Sequence, residues 1–599
     1  MKEQFEKRVD AYAKQYSSLN KQYNFIATVR VLVFLAFLIG FIAFANFRMG
    51  LEMGIVVISF PFIFGLIVRK HQKIKYNRQH ARYLKEINEN ELAILNGKLK
   101  EQDPGTEYLD KNHPYVNDLD VFGANSIFQL INRTVTKGGK DKLASWLLNA
   151  ADKNEIIERQ KAVKELKHEI DWRQDFQARG MHFEMQKTNS DLLINWIKTK
   201  SGVEAKFKIA SYVMPFLIAA SGVLNLTSTW PVFVTLILMG ISGFILNRFQ
   251  DQVTKLTESV IKHIAVLGAY ASLISKIEAT EFKTDKLISL KSAFIHDNYK
   301  ASESIQRLYK ILDFLNARSN FFYMIIDVVF LFDLNIIRLA ENWKQRNEAD
   351  ISNWFNSISE IEALTSLSAY SYSNPEFIEP VVSNEEFTID VKSLGHPLIR
   401  FEERVSNDYS ISGKGNISII TGSNMSGKST FLRTLGVNLV LAQAGGVVCA
   451  EKFEFSLLQL FTSMRTQDNL EEHVSSFYAE LKRIKDLLGL VEKDTPILYM
   501  LDEILKGTNS QDRHIGAVSL AKQLSTTNSF GLISTHDLAL GELAKSMEGV
   551  NNYSFNSVIE GNKIIFPYKL DNSICKSFNA SKLMENIGIK IDESIKKES

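Results

Sequence analysis

At 599 residues the chain is too long for one hydrophobic core and is expected to fold as two to four domains. Its 70 lysines and arginines against 68 aspartates and glutamates leave a formal net charge of +2, which excludes a globally basic nucleic-acid binder but not a local basic face. Cys449 and Cys575 are the only cysteines, so a disulfide framework and a cysteine-built metal site are excluded, and a reducing compartment fits best.

Residues 1–24 are polar and of mixed charge, with apolar residues at helical spacing. Residues 31–47 then carry no charge, and after Arg48 and Glu52 a second uncharged apolar run covers residues 53–68. Each is close to the roughly 17 to 25 residues that cross a bilayer as a helix. Two such runs with no small-residue cleavage site between them read as a retained hairpin, not as a signal peptide. Lys21 and Arg30 precede the first run, and Arg69, Lys70, Lys73, Lys75 and Arg78 follow the second, so both outer flanks are expected in the cytoplasm. Residues 1–80 are therefore expected to form an N-terminal transmembrane hairpin. A charged, helix-like stretch at residues 82–101 is stopped by Pro104-Gly105, which makes residues 81–116 a helical linker.

From residue 117 the text reads as packed helices. Ile127, Leu130 and Ile131 share one helical face; a turn is expected at residues 137–139, and Leu143, Trp146 and Leu147 mark the next helix. Between Lys208 and Arg248 no charged residue occurs, and residues 225–229 with Pro231 break the run in two. This predicts a second transmembrane hairpin at about residues 209–247, again with basic flanks. Residues 252–348 are helical in pattern, and the apolar run 321–332, which holds Asp327 and is too short to span, is expected in the core. Trp354, Phe355, Ile358, Ile361, Leu364 and Leu367 mark a further helix ended by Asn374-Pro375, closing a helical region over 117–375.

Residues 376–599 read as α/β. Ile419 and Ile420 feed the loop T-G-S-N-M-S-G-K-S-T at 421–430, spaced G-x-x-x-x-G-K-S and followed by an apolar-periodic helix. That is the strand, loop and helix context of a P-loop, in which backbone N–H groups and a helix N-terminus cradle phosphates. Gly422, Ser423, Asn424, Met425, Ser426, Gly427, Lys428, Ser429 and Thr430 are thus the expected ATP-binding residues. Lys428 would reach the β- and γ-phosphates, and Ser429 would ligate Mg²⁺. A second buried strand, I-L-Y-M-L at 497–501, ends in Asp502 and Glu503; hydrolysis needs a metal-holding carboxylate and a residue that orients and deprotonates water, and these fit. A third apolar strand ends in Ser534-Thr535-His536-Asp537.

Several phrases resemble the MutS family of DNA mismatch-repair ATPases. They are Leu-Ile-Asn-Arg-Thr at 130–134 with the glycines that follow, Gly395-His396-Pro397, Asn407-Asp408, the P-loop, Asp502-Glu503, and the stretch 461–480 with Ser475, Ser476, Phe477 and Glu480. The resemblance covers roughly 117–200 and 250–589. It implies an all-α MutS-like core and lever over 117–375, interrupted by the second hairpin, and an ATPase domain of ABC type over 376–599. It further implies His536 as a γ-phosphate sensor, His396 and Pro397 beside the nucleotide, and a homodimer in which Ser475 completes the partner's ATP site. The chain departs from the family pattern at His473, where a glycine is usual, and at Leu505 and Lys506, which replace a usual Gly-Arg.

The resemblance implies that the first hairpin stands where soluble mismatch readers carry an N-terminal mismatch-reading domain. Phe-x-Glu occurs only at 377–379 and 401–403, both at the entry to the ATPase. The expectation is a multi-pass protein of the plasma (inner) membrane with cytoplasmic core and ATPase domains, using ATP and Mg²⁺ and acting on DNA as mismatch-repair or recombination ATPases do. The alternative is a transporter-type or structural membrane ATPase that does not bind mismatched DNA.

Overall fold

The computed structural model describes residues 1–47, 49–182, 196–197, 205–226, 230–296, 299–319, 321–465, 476–560, 563–573 and 575. The chain divides into two compact units: Met1–Asn96 with Arg133–Asp141 and Glu169–Glu362, and Gly97–Asn132 with Lys142–His168 and Ala363–Ser599. These units cut across the boundaries drawn from sequence at 116/117 and 375/376. The physical reason is visible at Asp118, whose carboxylate accepts hydrogen bonds from Thr462 Oγ1 (2.7 Å) and from the backbone N–H of Arg465 (3.0 Å) and Met464 (3.2 Å). The segment after the expected linker is thereby tied to a strand end of the C-terminal α/β region.

That α/β region is built on a six-stranded sheet in the order Leu570–Asp571, Val550–Phe555, Ile417–Gly422, Ser529–Thr535, Ile497–Asp502, Gln459–Ser463. All neighbours are parallel except the first pair. Strands 417–422, 497–502 and 529–535 are buried along their whole length, as expected of near-continuous apolar runs covered on both faces. A second sheet, of four strands, orders Val381–Val382, Lys452–Phe455, Thr388–Leu394 and Asn407–Ser412.

The other unit is helical. Helices Lys2–Asn46 and Gly50–Leu95 form an antiparallel pair: Arg78 donates to Asn20 Oδ1 at 3.0 Å, Tyr23 stacks on His71 at 4.4 Å, and Phe37 stacks on Phe60 at 3.9 Å. The first thus includes the polar lead, and the second runs unbroken from the apolar stretch through most of the charged one. No residue of either apolar window is buried. Among the described residues three helical stretches are long and apolar enough to cross a membrane, Lys2–Asn46, Gly50–Leu95 and Val232–Asp251; Ile209–Asn225 is apolar but shorter. The last two belong to helices Ala205–Leu226 and Val232–Glu278, which meet through Ser221 Oγ and Thr235 Oγ1 (2.6 Å) and through Asn225 Nδ2 donating to Thr235 Oγ1 (2.5 Å).

Beyond the apolar stretches, helix Ile170–Met181 carries polar contacts to both long helices. Its Asp175 accepts from His80 Nε2 (3.0 Å) on helix Gly50–Leu95 and pairs with Lys276 Nζ (2.7 Å) on helix Val232–Glu278, as well as with Arg179 Nε (3.0 Å). Burial alone would raise the Asp175 carboxyl, but His80, Lys276 and Arg179 together hold it far below the usual range. His182 Nε2 lies 3.2 Å from His80 Nδ1, and burial, with the positive charge of His80 and Arg179 nearby, lowers its imidazole to about 4. Arg133 forms a buried ion pair with Glu91, Nη2 to Oε2 at 3.0 Å.

The expected turn at 137–139 is instead the first turn of helix Lys137–Leu148. Thr136 Oγ1 accepts from Gly139 N–H at 2.9 Å, an N-cap bond, and Glu362 accepts from Val135 N–H (2.8 Å), Thr136 N–H (3.1 Å) and the Thr136 hydroxyl. A Cβ on Gly139 would come within 2.3 Å of the Glu362 carboxylate, so the glycine permits the approach. Burial lifts the Glu362 carboxyl to about 7, although the bonds from Thr136 and Val135 pull the other way. A carboxyl raised above its unfolded value of about 4.5 binds its proton more tightly in the folded chain, so its contribution to stability is full below pH 4.5 and is lost as pH rises to 7. Glu362→Gln keeps the acceptor and removes the titration: its thermal unfolding midpoint in detergent should gain on the wild type as pH rises through that window. Glu362→Ala should instead lower stability by about 3 kcal/mol, since it strands buried N–H donors.

Candidate nucleotide site

Strand Ile417–Gly422 ends in a loop whose backbone turns through Met425 (φ 69°) and Gly427 (φ 107°) into helix Lys428–Gln443. The left-handed conformation at 427 favours glycine, and a Cβ there would stand 3.1 Å from the Tyr568 ring. The loop opens on a cavity of about 470 Å³ lined by Asn424, Met425, Ser426, Gly427, Lys428, Ser429 and Thr430, with His396, Glu503, Phe555 and Tyr568 among the other walls. Gly422, Ser423 and Pro397 are buried and are not among its lining residues. Lys428 is buried and donates to the carbonyls of Gly422 (2.8 Å) and Ser423 (3.1 Å). Burial lowers its ammonium value, partly offset by Glu503 and Asp502.

Register brings the other expected residues alongside. Asp502 is paired across the sheet with Ser534, and Thr535 with Thr421. Asp502 Oδ2 accepts from the Ser429 hydroxyl at 2.5 Å, and its Oδ1 accepts from the Ser534 hydroxyl. Glu503 takes a left-handed backbone (φ 49°) while its N–H donates to Ser534 O at 2.9 Å, a strained conformation of the kind that collects at functional sites. Its carboxylate lies 3.2 Å from Lys506 Nζ, 3.7 Å from Lys428 Nζ and 3.8 Å from His536 Nδ1. Burial would raise the Glu503 carboxyl, but Lys506, Lys428 and His536 outweigh it and hold it below its ordinary value. Among the described residues His536 Nδ1 finds no hydrogen-bond partner. The His396 ring, buried beside Arg433 and Arg404, is lowered to about 4 although Asp120 opposes the shift. Ser475 lies outside the described residues.

The structure adds residues that sequence reasoning missed. Lys506, noted only as a departure, is the nearest cation to Glu503. Tyr568 and Phe555 form an aromatic wall, and Asn407 holds the Tyr568 segment by donating to Tyr568 O (3.1 Å) and accepting from Leu570 N–H (2.8 Å). The aromatic, proline-broken phrase Phe566-Pro567-Tyr568 was the available signal, but only tertiary packing brings it over the P-loop.

Compared with known proteins, residues 418–591 match the family model for MutS domain V. The C-terminal α/β region is thus similar to MutS domain V. It is 32% identical to the DNA mismatch repair protein MutS of Lachnoclostridium phytofermentans over 267 residues, 43% of this chain and 27% of that protein. Over 216 residues it is 32% identical to the DNA mismatch repair protein MutS of Thermotoga maritima, covering 36% of this chain and 27% of the relative. The MutS protein homolog 4 of mouse is 31% identical over 218 residues, with 35% and 22% covered. The chain thus spans about a quarter of the length of the curated MutS relatives it matches.

If Asn407 positions the aromatic wall, Asn407→Ala should weaken ATP binding several-fold with a smaller effect on kcat. Equilibrium binding of a fluorescent ATP analogue, set beside steady-state turnover, checks this.

Proposed function

We propose that the chain is a membrane-anchored MutS-type ATPase that hydrolyses ATP at the P-loop site and works as a dimer with composite sites of ABC type. The observation that carries the chemistry is that Ser429 and Glu503 line one cavity while Asp502, next to Glu503 in sequence, accepts the Ser429 hydroxyl. The hydroxyl of Ser429 and the carboxylate of Asp502 are hard oxygen donors in contact, the donor set a Mg²⁺ ion takes together with waters and phosphate oxygens. When bound, the ion would neutralise charge on the β- and γ-oxygens.

The chain's own groups account for the rest. The N-terminus of helix Lys428–Gln443 would receive the phosphates, and Lys428 would exchange its contacts with the Gly422 and Ser423 carbonyls for phosphate oxygens. Glu503, ionised at neutral pH, orients the attacking water and draws off its proton. His536, with a free ring nitrogen near Glu503, contacts the γ-phosphate, and Ser475 serves the partner's site in trans. Tyr568, Phe555 and His396 supply an apolar wall for the base.

Membrane anchoring rests on the three long apolar helices, the first two with unburied apolar windows and the third with only a small part buried, and on Arg69, Lys70, Lys73 and Lys75 at the inner end of the second. The two hairpins then hold the core and ATPase regions on the cytoplasmic side of the plasma (inner) membrane. Within the MutS reading, the cycle of ATP-driven dimerisation moves the helical region against DNA, as in mismatch repair or recombination.

Lys428→Ala should abolish ATP binding. Glu503→Gln should keep binding but lower kcat by about 10²- to 10³-fold; wild-type turnover in both variants would overturn the site assignment. DNA binding by the detergent-solubilised protein should fall steeply with salt, as counterion release requires. No binding at low salt would favour a membrane ATPase that does not act on DNA.

A further inference from the structure

Helix Phe321–Phe330 is ten residues long, about half of what crosses a bilayer as a helix. Its sequence places it in a protein core, yet Met324, Ile326 and Phe330 are 59%, 44% and 49% exposed, and Phe314 on the preceding turn is 54% exposed. The single charged side chain of the helix, Asp327, is directed inward. Its Oδ1 accepts from Asp333 N–H at 2.8 Å, and Asp333 is in turn closed by the Tyr323 hydroxyl (2.6 Å) and Arg318 Nη2 (3.0 Å). The helix therefore turns its charge away from the surroundings while leaving large apolar side chains outward.

What covers those side chains is indicated by the neighbours. The helix packs against both members of the second apolar hairpin, Ala205–Leu226 and Val232–Glu278. The exposed apolar side chains of that hairpin include Val213, Phe216, Phe233 and Leu236, so the short helix and both helices it packs against all carry exposed apolar side chains. Its successor, helix Phe332–Asn347, sets the Arg338 guanidinium 4.4 Å above the Tyr212 ring. A cation stacked on an aromatic ring at the edge of an apolar band is an arrangement suited to the headgroup level of a membrane.

We propose that helix Phe321–Phe330, with Phe314 before it, lies in the plane of the bilayer at the boundary between headgroups and acyl chains. Met324, Ile326 and Phe330 enter the lipid, and Arg318 and Arg338 stay at the headgroups. Phospholipid is then a partner of the helical unit outside its spanning segments. The inference rests on the reading of the second hairpin as membrane-spanning.

The test uses the full chain in liposomes of phosphatidylethanolamine and phosphatidylglycerol, spin-labelled at Met324→Cys, Ile326→Cys or Phe330→Cys; the native Cys449 and Cys575 are buried. Collision with dissolved oxygen, relative to a water-soluble nickel chelate, should be several-fold higher at these three positions than at Val381→Cys, an exposed position in the α/β region. Leu236→Cys reports independently on the hairpin. Water-like values at 324 and 330 with a lipid-like value at 236 would overturn the interfacial helix and leave the span standing. Low collision with both probes would mean that protein covers the face, and would overturn it equally. A water-like value at 236 removes the reading on which the inference stands, and the inference with it.

Discussion

Three parallel strands ending level with one another are the constraint on which the site depends. Because Ser534 pairs with Asp502 and Thr535 with Thr421, the ends of strands Ile417–Gly422, Ser529–Thr535 and Ile497–Asp502 meet at one edge of the sheet. A one-residue slip of strand Ile497–Asp502 would turn Asp502 to the opposite face. Strand Ser529–Thr535 lies between the other two, so the hydroxyl of Ser534 reaches Asp502 from within the sheet and fixes one carboxylate oxygen. Only the other oxygen then remains for Ser429. Ligands of open parallel sheets bind at the carboxyl ends of strands, and here that rule is enforced by register and by two hydroxyls on one carboxylate.

The sequence carried the P-loop and the Asp502-Glu503 pair because their chemistry is local: glycines where the backbone must curl, and a carboxylate pair directly after a buried apolar strand. It carried the order of the elements but not their adjacency. Nothing in the spacing says that strand 529–535 inserts between strands 417–422 and 497–502, or that Asn407 and Tyr568, 161 residues apart, close the same cavity. The Lys137–Gly139 stretch misled for a related reason. Consecutive glycines signal a turn by local propensity, but Glu362, more than two hundred residues away, needs the room that Gly139 leaves, and the Thr136 cap keeps the segment helical.

Apolar patterning was informative about length and uninformative about surroundings. The runs 31–47 and 53–68 were legible as helices because charge is absent over a distance matching a bilayer. The run 321–332 has the same composition over a shorter distance, and composition alone cannot separate a core helix from one whose apolar side chains face outward. The exposure of Met324 and Phe330 makes that distinction. The polar contacts of Asp175 were equally hidden, since His80, Asp175 and Lys276 come from three distant segments and converge only because long helices run past the apolar stretches.

Helix Val232–Glu278 has 47 residues and continues well past its apolar window, which ends at Asp251. At 1.5 Å per residue the remainder is about 40 Å of rigid rod. Tilting such a rod by about 10° carries its far end sideways by ~7 Å, more than the pitch of one helical turn. With Lys276 fastened to Asp175 near that far end, a change in the tilt of the apolar portion would arrive among the helices as a displacement. Under the proposed anchoring, the bilayer and the helical unit would share one moving part.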